Sequence, residues 1–506
     1  MKAGRPAAQG RRTRTPLPAA RLNELWQAVW GENPQAALSE LCALAKSERV
    51  KKDLNARKER PDLRALLADP RPKVRKNAAR LLGALYLAGD QSALQEAIEH
   101  EDTLYVLPSL LLALGQGAAA AGPFLREFAQ KRAPSSRPED AKHEAAIASA
   151  LSAALSRADE RPPLPFLGFS APHDALLTVH RGCEALLLDE AKERGIALER
   201  HPLGFFQKGA DCAALFSLRC FSELLLPIAA GGRQTPGPAA ALLAARPVLC
   251  ECLGEAEFYR YRLEVRAGRP EERQALRRSL LECLAPLPFL KNSPSAYDFE
   301  LRCEAQDPPQ LFLRFPGADR RFAYRKAAVP ASIDPAVAAA LVRFAKPFAK
   351  ENARVLDPCC GSGTLLLERA SASPCAALVG VDVDGQAVLA ARQNFAAAGA
   401  AGRILHQDAL RFSPAAPFDE LYANLPFGTR VGSREGNDRF YAGLFARMDH
   451  LLAPNGFALC YTTQKAVLLR AARKNGFFPA AELRLEAGGL SPWAVVLRCK
   501  KGAGAR

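Results

Sequence analysis

Ten residues in the last third of the chain, Val355-Leu-Asp-Pro-Cys-Cys-Gly-Ser-Gly-Thr364, constrain the fold more than any other stretch. An apolar run ends at Asp357, glycines follow at 361 and 363, and Thr364 opens Leu365-Leu-Leu-Glu-Arg-Ala370. That order reads strand, tight loop, helix. Glycine has no Cβ, so the main chain there accepts φ > 0 and approaches a ligand closely, and the helix start behind it presents N–H groups with no partner in the helix. A dinucleotide fold needs a third glycine three residues after the second, and position 366 is Leu. A phosphate-binding P-loop needs Gly-Lys-Ser/Thr, which the stretch lacks. The acid ahead of the glycines repels a pyrophosphate and suits an ammonium.

Asp357-Pro-x-Cys-Gly-Ser-Gly-Thr resembles motif I of the S-adenosylmethionine (SAM) methyltransferases. The resemblance implies that Asp357, Pro358, Gly361, Ser362, Gly363 and Thr364 face the amino-acid end of SAM. Downstream, Ala377-Leu-Val-Gly-Val-Asp382 reads as a buried strand ending in an acid, and an acid at a second strand tip accepts both hydroxyls of a ribose. Asp382 is the ribose candidate and Asp384 the second choice. Arg403-Ile-Leu-His-Gln-Asp408-Ala409 closes a third strand. By the same resemblance, Asp408 accepts from the adenine amine and the Ala409 N–H meets a ring nitrogen. His406, on that strand end, is given no role.

Phe418-Asp-Glu-Leu-Tyr-Ala-Asn-Leu-Pro-Phe-Gly-Thr-Arg430 carries the second motif. A strand over about 420–423 ends in Asn424-Leu-Pro-Phe427, which resembles the Asn/Asp-Pro-Pro-Tyr/Phe loop of methyltransferases acting on exocyclic amines. An arylamine is a poor nucleophile because its lone pair is delocalised. Acceptors such as the Asn424 side-chain oxygen and the Leu425 or Pro426 carbonyl can hold its N–H bonds out of conjugation, and Phe427 offers a stacking face for an extruded base. Asn424, Leu425, Pro426 and Phe427 are therefore the catalytic candidates, with Asn424 also placed against the cofactor. Leu425 replaces the commoner Pro, a variant that also occurs in RNA methyltransferases bearing a THUMP module. Arg430 is a candidate phosphate clamp. Cys359 and Cys360 invite a thiolate mechanism, but small residues are needed in a glycine loop, and a packing role is expected for both.

The 506 residues suggest about three domains, and a net charge of +16 favours a polyanionic partner. Thirteen cysteines with no CxxC pair argue for reduced thiols and no zinc site. No apolar run is read as long enough to cross a membrane and no signal segment is read at the start, so a cytoplasmic protein is expected. Residues 1–20 read as a disordered basic tail. From 21 to 160 the text is Ala- and Leu-rich with helical periodicity; Asp69-Pro-Arg-Pro-Lys-Val-Arg-Lys-Asn-Ala-Ala-Arg-Leu-Leu-Gly83 resembles a HEAT repeat, with Val74, Ala78 and Leu82 on the buried face. A plain helical bundle is the alternative, and a protein or RNA partner is the expected use of its surface. After the proline-rich joint at 159–165, residues 166–320 read as an α+β module with strands near 175–179, 258–265, 297–303 and 310–315 and helices over 183–194 and 273–284.

Val179-His-Arg-Gly-Cys-Glu-Ala-Leu-Leu-Leu-Asp-Glu190 and Arg321-Phe-Ala-Tyr-Arg325 with Val329-Pro-Ala-Ser-Ile-Asp-Pro335 resemble the THUMP-containing guanosine-N2 RNA methyltransferases, and Leu218–Leu226 resembles a helix of the THUMP module. Tyr259-Arg-Tyr-Arg alternates aromatic and basic side chains as an RNA-binding surface does; packing of a sheet face is the other reading. Ser332 lies near the cofactor or caps the helix that follows.

The fold expected is thus an N-terminal α-solenoid, a central THUMP-like α+β module, and a Rossmann-like class I methyltransferase domain over 321–506. The activity implied is SAM-dependent methylation of a guanosine N2 amine, in tRNA first and large-subunit rRNA second. An adenine-N6 DNA methyltransferase and a non-catalytic RNA-binding scaffold are the alternatives. No metal is expected.

Overall fold

The computed structural model describes residues 19–31, 34–45, 51, 54, 63–158, 161–229, 237–294, 296–305, 309–329, 332–427 and 434–499. The basic tail (apart from its last two residues) and Arg430 lie outside them. The chain divides into two compact units, Met1–Pro162 and Pro163–Arg506.

The first unit is helical. Pro34–Leu44 packs on Pro72–Leu85, which packs on Leu107–Leu114, which packs on Ala141–Ala158. Val74, Ala78 and Leu82 are buried as their spacing predicts, together with Leu81 and Leu85. Arg75 makes a two-pronged bond to Glu101 at 2.8 and 2.7 Å, and Glu101 also accepts from the Thr103 N–H, so the helix is fastened to the next loop. Contrary to the reading of apolar runs above, 104–125 carries no charge. Its helical run is broken at Ala118 (φ 45°, ψ −128°), and Leu110, Leu111, Leu114 and Leu125 are buried in the helical core.

The second unit holds two sheets. The first has eight strands: β1 (His173–Thr178), β2 (Glu199–His201), β3 (Gly204–Ala210), β4 (Glu223–Ala229), β5 (Tyr259–Arg266), β6 (Leu290–Asn292), β7 (Phe299–Glu304) and β8 (Gln310–Arg314), in the order β2-β3-β1-β4-β8-β7-β5-β6. Two readings need correction here. Leu218–Leu226 is not a helix: a turn leads into β4, a central strand paired with β1 and β8. A strand covered on both faces reads as a continuous apolar run, which periodicity cannot distinguish from a helix. Tyr259 and Tyr261 are not an RNA-binding surface, being buried at 0% and 3% exposure with Leu263 and Phe299 in the core.

The opposite face of this sheet is a mosaic of ion pairs. Register places Arg262 beside Glu300, Glu264 beside Arg302, and Glu300 beside Arg314. Arg302, 1% exposed, grips Glu223 at 2.6 and 2.8 Å and reaches Glu264 at 3.3 Å. Arg314 bonds Glu300, and Arg260 pairs with Asp298.

The second sheet comprises β9 (Ala353–Asp357), β10 (Cys375–Asp382), β11 (Arg403–His406), β12 (Phe418–Asn424), β13 (Leu452–Thr462), β14 (Phe477–Arg484) and β15 (Trp493–Cys499), ordered β11-β10-β9-β12-β13-β15-β14. All neighbours are parallel except β15, which runs against both β13 and β14. Pro454–Gly456 lies inside β13, where the pairing with β12 slips between Leu452 and Phe457. Alternate residues of each strand bury opposite faces. Val355, Tyr422 and Leu459 pack with Leu365, Leu366 and Phe395 on one side, and Leu356, Leu421 and Cys460 with Tyr441, Leu444 and Leu468 on the other. At the base, Arg369 and Glu420, at 1% and 0% exposure, are joined by bonds of 2.6 and 2.9 Å, and Arg369 spends its remaining donors on Ser373 and the Lys350 carbonyl. The chain runs outward from β9 to β11 and then returns to β12, so a topological switch point lies between β9 and β12, where open parallel sheets bind ligands beyond their strand ends.

The two sheets are fastened by long-range polar contacts. Arg219 binds Glu368 at 2.8 and 2.9 Å, and the Tyr324 hydroxyl donates to the same carboxylate at 2.6 Å. Arg321 inserts beneath β4, donating to the Leu218, Phe221 and Ser222 carbonyls with its guanidinium 3.5 Å from the Phe221 ring centre.

Candidate active site

A cleft of about 610 Å³ opens over the switch point. It is lined by Asp357, Pro358, Gly361, Ser362, Thr364, Asp382, Asp408, Ala409 and Asn424 to Phe427. Of the predicted site residues among those described, only Gly363 is not on its wall, for a packing reason: a Cβ there would meet the Phe395 ring at 2.9 Å, and its φ of 79° is left-handed. Gly361, at φ 53°, is the glycine that keeps the cleft floor open.

Asp357 ends β9 at 1% exposure, and its carboxylate accepts the Cys359 N–H at 3.1 Å. Burial, reinforced by the nearby Asp382 charge, raises its pKa to about 8. An acid buried in this way is short of a cation, so the site fits an ammonium group. Asp382 ends β10 and accepts the Gly361 N–H at 2.8 Å on one oxygen and the Asp384 N–H at 2.9 Å on the other. It therefore shapes the glycine loop while presenting a carboxylate to the cleft. Asp384 caps the helix Gly385–Ala398 through the Gln386 N–H. Asp408 accepts the Leu410 N–H at 2.9 Å, and His406 is held by the Val383 carbonyl.

The loop after β12 is held from behind. The Leu425 N–H donates to the Tyr461 carbonyl at 3.0 Å, and Cys359 lies 3.5 Å from the Asn424 carbonyl. The Pro426 carbonyl accepts from Asn437 at 2.8 Å and from the Tyr441 hydroxyl at 3.0 Å, and Gln464 donates to the Phe427 carbonyl at 2.9 Å. A carbonyl with two lone pairs already engaged is a poor acceptor for a substrate amine, which leaves Leu425 as the main-chain acceptor of the two considered. The Phe427 ring stands edge-on to Tyr461, with centroids 5.7 Å apart.

Burial raises the pKa of Cys359 and Cys360 well above the ordinary thiol range, which suits packing and opposes a thiolate nucleophile. Cys360 lies over Gly380, whose Cβ would come 2.9 Å from the sulfur. Ser332 is not the helix cap: its hydroxyl is 3.0 Å from that of Ser362 and accepts the Val329 N–H, while Asp334 caps Pro335–Ala345. Among the described residues no group of three His, Cys, Asp or Glu is arranged for a metal.

Sequence reasoning missed Asn394, Asn437, Tyr441 and Asp334. Asn394 is fully buried; its oxygen accepts the Lys326 and Ala327 N–H groups and its amide donates to the Ala327 and Ser362 carbonyls, which ties the linker to the glycine loop. Asp334 was signalled by Asp-Pro at a helix start, where Pro favours the first helical position.

Strand order, glycine loop and strand-tip acids together define a Rossmann-like class I methyltransferase fold. Residues 322–491 match the family described as RMKL-like, methyltransferase domain. Among curated proteins, the tRNA (guanine(6)-N2)-methyltransferase of Thermus thermophilus is 37% identical over 183 residues, 35% of this chain and 52% of that protein. The chain thus spans about half the length of that relative. Among solved structures, TrmN from Thermus thermophilus is 27% identical, with 65% of this chain and all of that one covered at a TM-score of 0.48. SMU.472, solved in complex with SAH, is 15% identical, with 66% and 99% covered and a TM-score of 0.48.

Proposed function

We propose that this chain transfers a methyl group from SAM to the exocyclic N2 amine of a guanosine in tRNA. One observation carries the reading: a single cleft holds both the buried Asp357 with the strand-tip acids Asp382 and Asp408, and the Asn424–Phe427 loop. The named tRNA guanine-N2 methyltransferase relative supports the choice of base and RNA.

In this reading Asp357 receives the SAM ammonium, Asp382 the ribose, and Asp408 with the Ala409 N–H the adenine. Bound there, SAM supplies an electrophilic methyl on a sulfonium centre. Asn424 and the Leu425 carbonyl hold the two amine hydrogens, which turns the nitrogen lone pair out of the ring's π system. Phe427, braced by Tyr461, stacks on the extruded base and excludes water. We further assign RNA capture to the module over 166–320 and a docking role, for protein or RNA, to the helical unit, in a cytoplasmic enzyme.

The test is methyl transfer from labelled SAM to unmodified tRNA, rRNA and duplex DNA, followed by digestion and identification of the modified nucleoside. N2-methylguanosine in tRNA is expected. N2-methylguanosine in rRNA alone would move the substrate; label in DNA adenine, or SAM binding without transfer, would overturn the proposal.

A further inference from the structure

Two acids on the cleft wall, Asp384 and Asp334, have no place in the cofactor assignment above, and Asp384 is used as the cap of the helix after β10. Asp334 lies on none of the strand tips of the second sheet; it precedes the helix Pro335–Ala345 and lines the same cleft as Asn424 and Phe427. Its bonds to the protein fall on one oxygen. Oδ1 accepts the Ala336 and Val337 N–H groups at 2.9 and 3.2 Å and lies 3.5 Å from His180 Nε2, whereas Oδ2 accepts no bond from the described residues. About half of the side chain, 51%, is open. Three contacts thus anchor one end of the carboxylate and aim the other.

Asp334 shares the cleft wall with the 424–427 loop and, through His180, adjoins the module of the first sheet. Tyr461 lines the same cleft as Asp334. Tyr461 in turn braces Phe427, the stacking face for the target base. The stretch His180-Arg181-Gly182 of the first sheet's module closes around the same corner. The Arg181 carbonyl accepts the Glu486 N–H at 2.9 Å, and a Cβ on Gly182, at φ 92°, would come within 2.1 Å of the Arg484 carbonyl.

Resting on the guanosine-N2 reading, we infer that the outward oxygen of Asp334 accepts the N1–H of the extruded guanine and selects guanine over adenine. Guanine presents N1–H beside its N2 amine, a donor next to the reacting group; adenine presents a lone pair at N1, which a carboxylate repels. A site built to accept a substrate N–H rejects an analogue lacking it far more strongly than an apolar pocket can.

The experiment replaces the target guanosine, in an otherwise identical synthetic tRNA, with 2-aminopurine, which keeps the 2-amine and has no proton on N1. Wild-type kcat/KM should favour guanosine by about 10⁴-fold, the scale of polar-group discrimination. In Asp334→Ser the preference should shrink to within a few-fold of unity, and Asp334→Asn should fall between. Ser and Asn both cap helices well, so SAM affinity should be unchanged, and the ratio is internal to each variant, so it is readable even at reduced activity. Equal use of the two bases by wild type, or an unaltered preference in Asp334→Ser, overturns the inference while leaving guanosine methylation standing. Absence of guanosine methylation in the wild type removes the functional reading itself.

Discussion

The two ends of the cleft are built on different principles. The end proposed for the cofactor is made of strand tips: Asp357 and Asp382 end β9 and β10, Asp408 lies two residues past the end of β11, and the glycine loop is held by Asp382 and Asn394. The end proposed for the target base takes Asn424 and Tyr461, paired at the ends of β12 and β13, from the sheet and the rest from outside it. It is assembled from the 424–427 loop, Asp334, Tyr461 and the 180–182 turn, held by side chains that reach across long sequence separations. Backbone topology suffices to place a bound nucleoside; placing a reacting amine requires a dedicated scaffold of side-chain hydrogen bonds behind the loop.

If the ends are separable, substitutions should divide cleanly. Asn424→Ala should lower turnover by about 10²–10³-fold, the scale for losing one positioned polar group in a transition state, with SAM affinity retained by calorimetry. A parallel loss of both would break the distinction. Asp382→Ala should weaken SAM binding by about 1.5–3 kcal/mol, the scale for hydrogen bonds to a charged group, with the glycine loop loosened as well; unchanged affinity would remove Asp382 from the cofactor end. Tyr441→Phe deletes one donor to the Pro426 carbonyl and should cost about fivefold to tenfold in kcat, the worth of roughly one net hydrogen bond. Titration should show no change in SAM affinity.

A further effect should appear in the protein without ligand. Asp357 has a folded pKa of about 8, raised mainly by burial, against about 3.9 when unfolded. The native state therefore holds a proton that the unfolded state has lost, so stability from this group is full below pH about 4 and falls until about 8. Asp357→Asn should flatten that slope in thermal melts at pH 5 and 8 and weaken SAM binding. An unchanged slope would mean that the carboxylate is better solvated than its burial indicates.

The same division governed what could be read from the sequence. The cofactor end was legible because each acid sits at the end of an apolar run and the glycines follow the first directly. The loop at 424–427 was legible as a motif, but its support was not. Asn437 and Tyr441 are one helical turn apart and look like any polar and aromatic pair, and only the fold turns them toward Pro426. Asn394 sits in the middle of a helix, where nothing in the local pattern marks four main-chain bonds to distant segments. Tyr259-Arg-Tyr-Arg showed period two, which reports that two faces differ without saying which is covered. Leu218–Leu226 failed for the opposite reason, since a strand buried on both faces has no period to report.

The mosaic face of the first sheet bears on how RNA binding would respond to salt. Cations that bind phosphate in exchange for condensed counterions make affinity fall with ionic strength. Arg260, Arg302 and Arg314 already hold carboxylates of their own sheet. A phosphate arriving there would have to displace an acid, with little net release of ions. The slope of log affinity against log salt should therefore count lysines and arginines elsewhere on the chain, and should fall well short of what the +16 charge suggests.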